Sequence, residues 1–313
     1  MRTILGRVLI ALGGFLLVAG LVALVWAPGV VKKTPVDVDS VTHLSGEGGR
    51  VDTATGQITV GPVVASSITK VDTDASDDDV AVFVSTSCLM KDEGDVPDCL
   101  DGDDDRLLSA STSLFATDRD TALSVDNGSY LPEGSPQPRG LQNKWPFDAE
   151  KKDYEYWDGT AGVSVTAAYD REQDILGLKT YVYRVVVEDA PIEVAEGVEG
   201  TYSSTKEIYV DPVTGAIIHQ TDDQERYIGS GAEATQALEL QLAFTEDQQQ
   251  TNVDDAESNA TSLALVTKWI PIIGLVGGLL ALVAGILLVL REGRRTDHAV
   301  ADDVYADKTT TDA

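Results

Sequence analysis

Three histidines, two cysteines and a large excess of carboxylates are the side chains here that could carry chemistry. His43 and His219 lie in strand-like runs with no cysteine or second histidine at metal-ligand spacing. His298 falls in the C-terminal tail. No G-x-S-x-G elbow, P-loop or strand-borne G-x-G-x-x-G occurs. Between residues 30 and 268 there are 46 acidic and 17 basic side chains, so carboxylate pairs at glycosidase spacing arise by chance. The sequence therefore reads as a non-enzyme that needs no cofactor and no metal. A carboxylate-based hydrolase or transferase is the weaker alternative.

The cysteines, Cys88 and Cys99, enclose the stretch CLMKDEGDVPDC. With no histidine near, they read as a disulfide rather than a metal site, and closing so short a loop is worth roughly 3 kcal/mol. Asp77-Asp78-Asp79 and Asp101-Gly-Asp-Asp-Asp105 lack the alternating ligands and terminal Glu of a calcium loop, so they read as solvated turns. More informative is a run of rings: Trp145, Phe147, Tyr154, Tyr156 and Trp157 fall within thirteen positions of a chain that is 6% aromatic. Such rings either supply a core or line a groove for a lipid tail or a sugar face. On the second reading these five are the candidate ligand-binding residues.

The elements that must position these residues begin with two anchors. Ile4 to Trp26 carries Arg7 as its only charge, and Trp269 to Leu290 carries none. A bilayer core about 30 Å thick needs ~20 apolar residues, and both runs supply them. The first run is longer than a signal-peptide core and lacks a small-x-small cleavage site, so it reads as a retained anchor. Arg2 and Arg7 precede it, and Arg291, Arg294 and Arg295 follow the second run; the positive-inside rule puts both termini in the cytoplasm. Glycines at 13, 14, 20, 274, 277, 278 and 285 allow the two helices to approach closely. The expected organisation is a cytoplasmic start at 1–3, spans at 4–26 and 269–290, an extracytoplasmic domain at 27–268, and a disordered cytoplasmic tail at 291–313.

The whole formal charge of −29 resides in that middle domain, because the two ends cancel. Such a balance keeps a domain soluble and excludes nucleic acid as a partner, which clustered Lys and Arg would have to bind. The domain reads as α+β, with a β-rich antiparallel body and one or few helices. Residues 79–86 form a β-rich run, 162–169 alternate, and 178–187 alternate most strongly, with Tyr181, Tyr183, Val185 and Val187 on one face. Residues 206–220 form a hairpin around Asp211-Pro-Val-Thr-Gly215, and a smaller one surrounds Thr53–Gly56. Between Ser40 and Val60 the glycines at 46, 48 and 49 divide the chain into short extended runs. Residues 231–250 are rich in helix formers and predict a helix, with a linker at 251–259.

Lys144-Trp-Pro-Phe147, then Lys151-Lys-Asp-Tyr-Glu-Tyr-Trp-Asp158, the Tyr209-Val-Asp-Pro-x-Thr-Gly215 turn and the two flanking runs together resemble an actinobacterial family of two-pass envelope proteins. That family, first described as a domain of unknown function, is often labelled "porin PorA family". The resemblance spans about residues 1–295, and the Cys88–Cys99 loop stands outside its pattern. It implies a plasma-membrane protein of mycolate-bearing bacteria and their relatives, with members implicated in maturing lipomannan to lipoarabinomannan. It implies no catalytic residues. The favoured function is an accessory of cell-envelope assembly that binds or presents a lipid or lipid-linked glycan (lipoglycan). The second is a scaffold or sensor that packs against a membrane enzyme. A pore ranks below both, since two apolar helices around a polar domain are not the pattern of an outer-membrane barrel.

Overall fold

The computed structural model describes residues 2–52, 55–100 and 102–306, and it divides into a helical unit and a sheet unit, Lys33–Ala260. The helical unit contains α1 (Arg2–Val31) and α3 (Ile270–Ala306), the latter preceded by a π-helical turn at Leu265–Trp269. Both helices are long and apolar enough to cross a membrane. Large apolar side chains point outward on each, Phe15 and Leu280 among them, as lipid-facing helices require.

The pair is held by close backbone approach. A Cβ at Gly13 would lie 2.6 Å from the Leu282 nitrogen and 2.7 Å from the Gly278 oxygen. Gly6 faces Gly285 in the same way, and Gly20 faces Gly274. Gly6, Gly13 and Gly20 recur every seven residues, which keeps one seam against the partner. A Cβ at Gly14 would meet nothing. Gly13→Leu should therefore push the helices apart toward the ordinary spacing of about 8–10 Å, while Gly14→Leu leaves the pair intact. Distances between spin labels on the two helices in lipid read the difference. The helix continues to Ala306, so residues 291–306 of the expected disordered tail are helical; extending an existing helix costs little. Residues 307–313 lie outside the described residues.

The sheet unit is built on one antiparallel sheet of ten strands. They are β1 (Asp39–Arg50), β2 (Gly61–Val71), β3 (Val80–Lys91), β4 (Leu107–Asp118), β5 (Tyr154–Asp158), β6 (Val163–Ile175), β7 (Leu178–Ala195), β8 (Val198–Val210), β9 (Ile217–Ile228) and β10 (Thr235–Phe244). The order is β4-β3-β2-β1-β10-β9-β8-β7-β6-β5. The chain meanders outward from β1 to one edge, crosses to the other edge, and meanders inward until β10 closes on β1.

The crossing segment, residues 119–153, joins the two edges of this half-barrel. Val125 donates to the Ala116 carbonyl (3.1 Å), and Ser124 donates to that of Gly140 (2.9 Å). Leu141 then donates to Glu155 and accepts from Trp157, both at 2.8 Å.

Three expectations about this unit are corrected. Residues 235–244 are strand β10, not helix. Leu238-Glu-Leu-Gln-Leu242 alternates with period two, and pairing on both sides with β1 and β9 outweighs the helix propensity of Ala, Leu, Glu and Gln. The expected linker at 251–259 belongs instead to helix α2 (Glu246–Ala264), which Thr245 Oγ1 caps at the Gln248 N–H (3.2 Å). α2 lays Val253 and Ala256 on Ile175, Val182, Tyr209 and Ile218. The glycines at 46, 48 and 49 do not break β1. A Cβ at Gly46 would overlap the Gln241 carbonyl, so glycine is what lets β10 pass there. Beyond β1, Val51 bridges to Ile58 as the small hairpin requires; Thr53 and Ala54 lie outside the described residues.

Candidate functional site

Alternation gives the sheet two distinct faces. One face carries the main core: Tyr183 and Val185 of β7, Ile208 and Val210 of β8, and, from the crossing segment, Leu141 and Trp145. The two motif runs noted in the sequence meet here. The Trp145 backbone N–H donates to the Gly215 carbonyl (2.8 Å) and that of Asp148 to the Val213 carbonyl (3.2 Å), so the Asp211–Gly215 turn docks on the Trp145 segment. Gly215 has φ +74°, and a Cβ there would overlap the Trp145 carbonyl. Gly215→Ala should cost about 1–3 kcal/mol, read by thermal unfolding.

Of the five candidate aromatic residues, Trp145 and Tyr156 are buried in this core, and Phe147, Tyr154 and Trp157 are half-buried. Trp145 stacks on Tyr183 (5.1 Å between centroids) and on Tyr156 (6.0 Å), and Tyr154 meets it edge-on (6.5 Å). Burial pushes the Tyr156 hydroxyl up to about 12. Lys144 Nζ lies 3.5 Å over the Phe147 ring and is buried without a hydrogen-bond partner among the described residues. Burial draws its pKa down to about 7, against an opposing pull from Asp211.

A second buried feature was not anticipated. Lys206 sits in the inward row Tyr202, Ser204, Lys206, Ile208 of β8, where apolar residues are expected. Its Nζ hydrogen-bonds Asp158 Oδ2, lies 3.1 Å from the Tyr202 hydroxyl and 3.9 Å from Asp222 Oδ2. Burial raises the Asp222 carboxyl, with Lys206 pulling the other way. Burial also opposes ionisation of Asp158, but Lys206 and N–H donors more than reverse it and leave that carboxyl below its ordinary value. A charged residue interrupting an apolar alternation was a legible signal.

The opposite face is polar. α2 covers Val182 and Tyr209 at one end, and beyond them runs an open groove of about 590 Å³. Its floor crosses five strands: Arg184 of β7, Thr205 and Glu207 of β8, Thr221 and Asp223 of β9, Gln241 of β10 and Glu47 of β1. An adjoining hollow of about 330 Å³ adds Glu188, Glu225 and Glu239. Glu225 and Glu239 are direct cross-strand partners, a repulsive pairing that a folded sheet gains nothing from. Arg171 binds Glu207 (2.8 Å), which also accepts from the Tyr209 hydroxyl (2.8 Å). Sequence reading missed this groove, because its residues come from five strands and only their register gathers them.

The remaining candidates fall elsewhere. Cys88 and Cys99 form the expected disulfide. The loop it closes is pinned by Asp98, whose carboxylate meets His43 Nε2 at 2.8 Å and whose carbonyl accepts from Ser66 Oγ. Ser66 and His43 are cross-strand partners, but the serine hydroxyl is committed to that carbonyl, so the three make no catalytic relay. His219 packs on Tyr209 (4.9 Å), and burial lowers its pKa; its Nδ1 has no partner among the described residues. Among the described residues no three His, Cys, Asp or Glu side chains converge as metal ligands.

No curated protein matches the chain. The family described as Porin PorA matches it over residues 5–287, nearly its whole length and both apolar helices, so the chain belongs to the Porin PorA family.

Proposed function

We propose that this is a two-pass plasma-membrane accessory of cell-envelope assembly, with both termini cytoplasmic, whose outer unit binds the glycan part of a lipid-linked glycan. The observation that supports this reading is the open groove, floored mainly by hydroxyls, an amide, carboxylates and one arginine, with Leu242 and Ala243 as its apolar members. Such a surface suits sugar hydroxyls, which it can meet with hydrogen bonds of both polarities, and does not suit a lipid tail. The rings expected to take a tail are largely engaged with one another in the core. The unit acts by holding its ligand, not by transforming it.

Thr205, at the middle of the groove floor, is the place to test this. The full chain, purified from its native membrane, should carry a glycan-bearing lipid detectable by mass spectrometry. Thr205→Trp should lower its occupancy by at least about tenfold, a change of ~1.4 kcal/mol, without altering folding. Absence of any glycolipid from the wild type, or equal occupancy in the variant, removes the reading.

The family's name supports a second reading, a pore. Residues 4–26 and 269–290 contain no Ser, Thr, Asn or Gln, and Arg7 is their one charge, so a water-filled path would have to form between copies. Channel currents from the purified chain in a planar bilayer decide it.

A further inference from the structure

The amine and two carboxylates buried on the core face are arranged for more than an ion pair. Asp158 ends the edge strand β5, while Lys206 and Asp222 are cross-strand partners on β8 and β9. Asp158 is 2% exposed, Lys206 7% and Asp222 6%. We propose that Lys206 and Asp158 condense into an intramolecular amide, with Asp222 carrying the proton, so that β5 is covalently tied to β8 across β6 and β7.

Each atom has a place in that reaction. Lys206 Nζ contacts Asp158 Oδ2, which sets the nitrogen beside the Asp158 carboxyl carbon. Asp158 Oδ1 is held by the N–H groups of Thr160 (3.1 Å) and Ala161 (2.9 Å). Those two donors face the oxygen on which negative charge develops when nitrogen adds to the carbon. Asp222 is fixed by Ser204 Oγ at Oδ1 (2.8 Å) and Gln224 Nε2 at Oδ2 (2.6 Å), and its Oδ2 stands 3.9 Å from the nitrogen. The Tyr202 hydroxyl lies within 3.4 Å of Asp158 Oδ2 and closes the site on another side.

The step balances without any co-reactant. One proton moving along the Nζ–Oδ2 hydrogen bond converts ammonium and carboxylate into amine and carboxylic acid. The nitrogen lone pair then attacks the carboxyl carbon, forming the C–N bond and placing charge on Oδ1. Asp222 takes a proton from nitrogen and passes it to Oδ2. The C–Oδ2 bond breaks, water leaves, and Asp222 returns to its starting state. Burial disfavours both charges, but their contact holds Lys206 protonated and Asp158 ionised, so the uncharged pair is reached only through that proton transfer. Fixed contact replaces the entropy cost of bringing amine and acid together, where effective molarities reach about 10⁵–10⁸ M. Nothing in this proposal depends on what occupies the groove.

The full-length chain, denatured and with its disulfide reduced, should have an intact mass one water below that of its sequence. Tandem mass spectrometry should find a branched peptide joining Asp158 to Lys206. Lys206→Arg and Asp158→Ala should each restore the full sequence mass, and Asp222→Asn should fold yet remain unmodified. A wild-type chain at full sequence mass would overturn the proposal. So would a water lost within a linear peptide at Asp158-Gly159, since that pair can cyclise to an aspartimide of the same mass that hydroxylamine cleaves. Loss of water that persists in Asp222→Asn overturns the proton-carrying role.

Discussion

Trp145→Ala should destabilise the sheet unit by about 3–5 kcal/mol, the range for deleting a fully buried large aromatic side chain. The indole is 0% exposed and stacks on Tyr183 and Tyr156. It also fastens three pieces of chain that are distant in sequence. Its backbone N–H holds the Gly215 turn, its neighbour Leu141 completes the seam with β5, and its ring covers β7. The cavity cannot collapse by a local shift, because strands on both sides are held by their ladders. Urea unfolding followed by the far-ultraviolet signal measures the cost. Trp157→Ala, at a half-buried position, should lose about 1–2 kcal/mol for the smaller area removed. Equal losses for the two variants would mean that Trp145 does not key the core.

Trp145 also shows what the sequence could and could not disclose. The aromatic density between 145 and 157 announced an important region, but not whether its rings face a core or a ligand. That depends on Leu141 pairing beside β5 and on the turn at 211–215 docking from below, both long-range events. Strand β7 was legible because Tyr181 to Val187 alternates cleanly, and the 206–220 hairpin because Asp-Pro and Gly215 fix its turn. β10 was not: Ala, Leu, Glu and Gln have strong helical preference, and the competing period-two pattern, Leu238, Leu240 and Leu242, gains its weight from two neighbouring strands. The two long apolar helices were legible because each is an unbroken apolar run long enough to cross a membrane. The groove was not, because Glu47, Arg184, Thr205, Asp223 and Gln241 share only register.

Lys144→Met should stabilise the sheet unit near neutral pH by about 1–3 kcal/mol, and the gain should fade as pH rises. The folded chain holds this amine at about 7, against an ordinary value of 10.5, because burial disfavours the ammonium. A pKa lowered by folding means that protonation works against the folded state. The penalty is therefore complete below about pH 7 and disappears above the unfolded value. At ~1.36 kcal/mol per unit it amounts to roughly 4 kcal/mol at neutrality. The Phe147 ring beneath Nζ returns about 0.5–2 kcal/mol of this as a cation–π contact. Asp211 offers less than its charge suggests, since its oxygens already accept from Val213, Thr214 N–H and the Thr214 hydroxyl. Between pH 7 and 9 the wild type should gain about 2 kcal/mol relative to Lys144→Met, with both kept below the range where tyrosines titrate. Parallel stability curves for the two proteins across that window would show that the amine is hydrated and charged where it stands. A lysine is an awkward choice beneath a core, and Lys144→Met tests whether its position, beside the Trp145 anchor and the 211–215 turn, is held at the expense of the fold.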